Sequence, residues 1–150
     1  MPSVKEQLYQ LCREYLDRSI SEAKQAIGDA REASANETKS SAGDKYETSR
    51  EMMQQEMDMN TFRISGLQKM KVALDMINPL EEDITARAGS IVHTSQGNYY
   101  ISISVGKLIA EGVPYFTLTN SAPLGARLMG KKVDDKFTFN GKEFIILKVQ

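Results

Sequence analysis

Few side chains in this 150-residue chain are of types that carry chemistry, and the best placed are two acids in the run Gly43-Asp44-Lys45-Tyr46-Glu47. Residues three apart lie on one face of a helix, so the carboxylates of Asp44 and Glu47 could share a divalent cation. Magnesium takes only one or two protein carboxylates as a rule and fills its shell with water and phosphate oxygens. The pair is therefore half a site, and a partner would have to supply the rest. The same residues also fit a plain capping box, with Asp44 capping a helix, Glu47 reaching back, and both acids favoured by the positive end of the helix dipole.

The other reactive types are thinly spread. His93 stands in a strand-like run without a second histidine or a nearby cysteine, which favours a structural or surface role over ligation. Cys12 is the only cysteine, so no internal disulfide, CxxC pair or cysteine zinc cage can form, and it reads as a small buried hydrophobe. One His and one Cys in different halves make a Cys-His acyl-transfer enzyme a poor fit. Met52, Met53, Met57, Met59, Met70 and Met76 read as core filling along a helix rather than as a binding surface. Lys131, Lys132 and Lys136 read as solvated turn charges.

Composition narrows the classes further. With 19 basic and 20 acidic residues, the chain lacks the positive excess of an autonomous nucleic-acid binder. Its length suits one domain or two small ones. The lone cysteine fits a reducing compartment. The start Met1-Pro2-Ser3-Val4-Lys5-Glu6 has no apolar signal core, and no window approaches the ~18 apolar residues of a membrane span. A soluble, cytoplasmic protein is expected.

Two helices must position the acids. Val4, Leu8, Leu11 and Tyr15, then Leu16, Ile20, Ala23, Ile27 and Ala30, mark one face of a long helix. Met53, Met57, Asn60, Ile64, Leu67, Lys71 and Leu74 mark a second, with Met70 and Ile77 widening the stripe. Ser34 to Thr48 contains no large aliphatic residue, and Gly43 makes a reversal or helix boundary cheap. The spacing predicts an antiparallel coiled-coil hairpin over 1–77 with its tip near 35–48, each arm roughly 45 Å long.

Asn78-Pro79 ends the helical pattern, and 78–88 reads as a linker. From Gly89 the runs Ser90–Thr94, Tyr99–Val105, Tyr115–Thr119, Lys136–Phe139 and Glu143–Val149 are β-branched and aromatic. Turn residues separate them, Asn140-Gly141 being the strongest hairpin signal. Pro123 to Gly130 predicts one short helix. The whole is read as α+β, with an antiparallel β domain over 89–150.

The stretch Asn120-Ser121-Ala122-Pro123-Leu124-Gly125-Ala126-Arg127-Leu128-Met129-Gly130-Lys131-Lys132-Val133-Asp134-Asp135, followed by Phe137-Thr138-Phe139 and Glu143–Val149, resembles the C-terminal domain of the GreA/GreB transcript cleavage factors. The resemblance extends over hairpin, linker and β domain, and Gly43-Asp44-Lys45-Tyr46-Glu47 falls on the family's Gly-Asp-x-x-Glu tip. It implies an FKBP-like C-terminal domain that docks on the rim of the secondary channel of bacterial RNA polymerase, while the coiled coil enters the channel. Asp44 and Glu47 would then hold a magnesium ion jointly with the polymerase and orient a water for cleavage of backtracked RNA. The chain would have no active site of its own. Tyr46, Asn120, Ser121, Pro123 and Leu124 would contact the partner, and the factor is expected to be a monomer. Rival readings are a channel regulator that inhibits polymerase, an FKBP-like binding or isomerase module, and a coiled-coil interaction protein with an inert tip.

Overall fold

The computed structural model describes residues 1–37 and 43–150, except for the side chains of 37 and 43–46. Two long helices come first, α1 (Val4–Glu37) and α2 (Gly43–Asp75). Six strands follow: β1 (Ile91–Thr94), β2 (Gly97–Ile101), β3 (Lys107–Ala110), β4 (Val113–Leu118), β5 (Lys136–Phe139) and β6 (Lys142–Val149). A short helix, α3 (Pro123–Leu128), lies between β4 and β5. The fold is α+β. By contact the chain divides into one unit of Met1–Tyr15 with Val72–Gln150 and another of Leu16–Lys71. That division cuts both helices instead of falling in the 78–88 segment.

In the first unit the strands form one sheet in the order β3-β4-β2-β1-β6-β5. The Asn140-Gly141 turn joins β5 and β6 with Phe139 opposite Lys142, both turn residues at positive φ of 51° and 76°. Such left-handed pairs match the twist of a two-residue hairpin.

Two expectations are corrected here. The sheet is not wholly antiparallel, because β2 and β4 run parallel with Tyr99 opposite Phe116. The strand pattern read as Tyr99–Val105 also ends at Ile101: the Ser102 N–H donates the last bond of the β2–β4 pairing to the Leu118 carbonyl at 2.9 Å, and the chain continues into a sixth strand, β3. A second left-handed turn, Glu111-Gly112 at φ 52° and 77°, folds β3 onto β4. The β1–β2 turn falls at Ser95-Gln96, where the Thr94 hydroxyl accepts the Gln96 N–H and donates to the Gly97 carbonyl.

One sheet face carries Val92, Ile101, Leu118, Phe137, Phe144 and Ile146, packed with Ala86 and with Leu128 from α3. Phe137 stacks on Phe144 at 5.0 Å between ring centroids. Gly125 lets α3 come this close: a β-carbon there would stand 1.9 Å from the Thr119 carbonyl oxygen. The α1 end of the same unit meets the residue after β2 through Cys12 Sγ, 3.9 Å from Ser102 Oγ, and the β3–β4 turn through the Gln7 amide, which donates to Glu111 at 3.2 Å.

A buried ion pair ties the first turn of α1 to the 78–88 segment. Lys5 Nζ lies 2.9 Å from Asp83 Oδ2, both side chains less than a tenth exposed, and it also donates to the Glu81 carbonyl. Ser90 Oγ and Arg87 Nε complete the shell of the Asp83 carboxylate. Burial alone would raise this carboxyl's pKa, but the hydrogen bonds from Ser90, Lys5 and Arg87 outweigh it and hold the group below its ordinary value.

In the second unit α1 and α2 run antiparallel. Lys71 bonds Asp17 at 3.0 Å, and one groove is lined by Ile27, Arg31, Ser34 and Ala35 from α1 with Arg50, Gln54, Met57, Asp58 and Thr61 from α2. Leu16, Ala23, Ala30 and Leu67 are buried, and Met53, Met57, Asn60 and Ile64 are half-buried, as the heptad spacing requires. Carried toward the turn, this register sets residue 37 across from residue 51.

Gly125→Ala is expected to lower unfolding stability by about 2–4 kcal/mol in urea titrations, because the added carbon meets backbone that cannot move aside cheaply. Asp83→Asn is expected to cost about 3 kcal/mol at neutral pH by leaving the Lys5 ammonium buried without a counter-charge. A depressed native carboxyl contributes its stability above the unfolded pKa and loses it as pH falls through the native value. The gap between wild type and Asp83→Asn should therefore narrow below about pH 4 in the same titrations.

Candidate functional site

The acids named from sequence sit in the first two turns of α2, which begins at Gly43. Asp44 is thus already inside the helix rather than ahead of it as a cap. Positions 44 and 47 are one turn apart, which keeps them on one helical face. The side chains of Asp44 and Tyr46 lie outside the described residues, whereas Glu47 is exposed. Glu47 makes no ion pair among the described residues. Among the described residues no three His, Cys, Asp or Glu gather as a metal-binding group. A pair of acids with a shell completed from outside remains consistent with magnesium's preference for water and phosphate oxygens.

The second candidate set is the approach to α3. Asn120, Ser121 and Pro123 are exposed, and Leu124 is half-buried against the core. The loop is tightly held: the Ala122 N–H donates to the carbonyl and to the hydroxyl of Thr119, each at 3.2 Å, and Ser121 Oγ lies 3.2 Å from the same hydroxyl. Pro123 opens α3 where its missing N–H costs nothing. Next to it, Arg127 and Lys131 sit over the Phe137 ring at 5.1 and 5.8 Å. Lys131 is therefore more than a solvated turn charge, since its ammonium rests on an aromatic face.

The remaining reactive types have structural roles. Both ring nitrogens of His93 are engaged, Nδ1 at 3.0 Å from Asn98 and Nε2 at 2.9 Å from Gln150, and the ring meets Tyr115 edge-on. Cys12 is buried, and that burial pushes its thiol up to about 11. Tyr100 is buried, and that burial raises its phenol pKa as well.

The methionines do not form one set. Met53, Met57 and Met70 turn partly inward, but Met52, Met59 and Met76 are 64, 73 and 83 % exposed, and Phe62 is 83 % exposed. Reading all six as core filling missed this split. The signal was the helical phase: Met52, Met59 and Phe62 repeat at seven and three, offset from the inner stripe. No helix among the described residues is long and apolar enough to cross a membrane.

A thiol kept neutral and covered should resist modification. Cys12 is expected to react with a thiol reagent at neutral pH only as fast as the first unit opens, and at the rate of a free cysteine in denaturant, as absorbance-monitored labelling would show. No protein-family model, curated protein or solved structure matches the chain.

Proposed function

We propose that this protein is a transcription elongation factor that binds bacterial RNA polymerase, passes its helical hairpin into the secondary channel and stimulates cleavage of backtracked RNA by the polymerase. The observation that carries the reading is the Gly43-Asp44-x-x-Glu47 run in the opening turns of α2, at the turn end of a long antiparallel hairpin. From residue 71 to residue 43, α2 rises roughly 40 Å at about 1.5 Å per residue. An acid pair carried on so slender a rod can reach a site closed to a globular domain.

The proposed division of labour follows from chemistry. A magnesium ion held jointly with the polymerase would polarise water and neutralise charge on the scissile phosphodiester. Glu47, exposed and unpaired with any described cation, accepts hydrogen bonds and supplies oxygens toward that ion. Asp44, one turn earlier, contributes the second carboxylate, and the two acids together orient the attacking water. Tyr46 between them would pack on the RNA end or the channel wall. Asn120, Ser121, Pro123 and Leu124 are the proposed rim contact, a loop already fixed by Thr119 and therefore cheap to order on binding.

The test uses a stalled, backtracked polymerase with magnesium, reading short 3′ RNA fragments on a gel. The full chain should release them, and Asp44→Ala or Glu47→Ala should each slow release at least about tenfold while polymerase binding is retained. Cleavage surviving both substitutions would sink the metal-sharing role. Suppression of cleavage with binding intact would instead make the protein an inhibitor at the same channel.

A further inference from the structure

The outer face of α2 carries a second heptad that no described part of the chain covers. Met52, Gln55, Met59, Phe62 and Gly66 recur at three and four residues, the spacing of a coiled-coil seam. They lie on a different side of the helix from Met53, Met57, Asn60, Ile64 and Leu67, which face α1. Met52, Met59 and Phe62 are each more than three-fifths exposed, and a β-carbon at Gly66 would meet nothing within 4 Å. Three large apolar side chains on one face, ending in an open notch, form the kind of patch that marks an interaction surface. The spacing specifies that its partner is a helix.

Charges on the flanks of this seam select which helix and which direction. Glu56 and Arg63 stand on the same flank, seven residues apart, and neither is ion-paired among the described residues. When two copies of α2 pack antiparallel, same-flank residues face each other, so Glu56 meets Arg63 of the second copy and the reverse. The central layers then bring Met59 onto Phe62 of the second copy, twice, by symmetry. A parallel pair would match Asp58 with Arg63 but oppose Glu51 to Glu56, cancelling the gain. We propose that the outer face of α2 is a self-association surface, on which a second copy of this chain packs antiparallel through Met52, Met59 and Phe62 with reciprocal Glu56–Arg63 pairs.

This goes beyond the cleavage reading and does not depend on it, since it concerns the free protein. The test is sedimentation equilibrium of the full chain over a wide concentration range, without polymerase. A monomer–dimer equilibrium is expected, and a monomer at every concentration overturns the proposal. Met59→Glu and Phe62→Glu should each weaken association by at least about tenfold while far-UV circular dichroism shows unchanged helix content, since both side chains point to solvent. Undiminished association in these variants overturns the surface. Glu56→Arg alone and Arg63→Glu alone should each weaken the dimer roughly five-fold, and the double exchange E56R/R63E should restore it. Failure of that rescue overturns the antiparallel arrangement.

Discussion

The first unit depends on a charge with nowhere else to go. Lys5, in the opening turn of α1, is buried, and its ammonium is tolerable only because Asp83 and the Glu81 carbonyl meet it. Asp83 in turn is held by Ser90 and Arg87 on the way into β1. One ionic cluster thus fixes the start of the chain, the connection after α2 and the entry to the sheet. Residues more than seventy positions apart close around it, and the same unit contains both ends of the helical pair. An apolar pair of similar volume could be as stable, but it would not dictate which turn of α1 sits at residue 83.

With the helix ends so anchored, the sheet is free to specialise. Its α3 side is a conventional aromatic and aliphatic core, and it approaches the β4–α3 loop so closely that only glycine fits at 125. The loop of Asn120 to Leu124 inherits that rigidity. The second unit works differently: two helices bury only what they offer each other, so its outer surfaces stay available for partners.

Much of this was legible in the sequence, for physical reasons that can be named. The inner stripe from Met53 to Leu74 has only one periodicity that keeps its residues on one side, and their burial follows it. Asn140-Gly141 announced its hairpin because both residues tolerate positive φ. The matching turn at Glu111-Gly112 was missed because glutamate gives no such signal, and the four-residue edge strand before it, with Lys107 at its head, lacks an apolar alternation. The parallel contact of β2 with β4 follows from β3 and was lost with it. Lys5 and Asp83 could not be paired from sequence, since nothing local distinguishes them from solvated surface charges. The tip acids stood out by type and spacing, yet their helical setting starts two residues earlier than a cap at Asp44 requires.

Helix α1 becomes smaller in side chain as it nears the turn, passing from Leu16 through Ala23 and Ala26 to Ala30 and Ala33. Alanine fills little of the space between the two helices, so Ile20 and Ile27 of α1 and Met53 and Met57 of α2 supply most of the half-buried apolar bulk there. It also leaves little to hold the helices: a buried methyl is worth under about 1 kcal/mol, against about 1.5–3 for leucine. The hairpin therefore has a gradient of cohesion along its length, firm near residues 16 and 67 and progressively weaker toward the turn. Amide protons should exchange in that order.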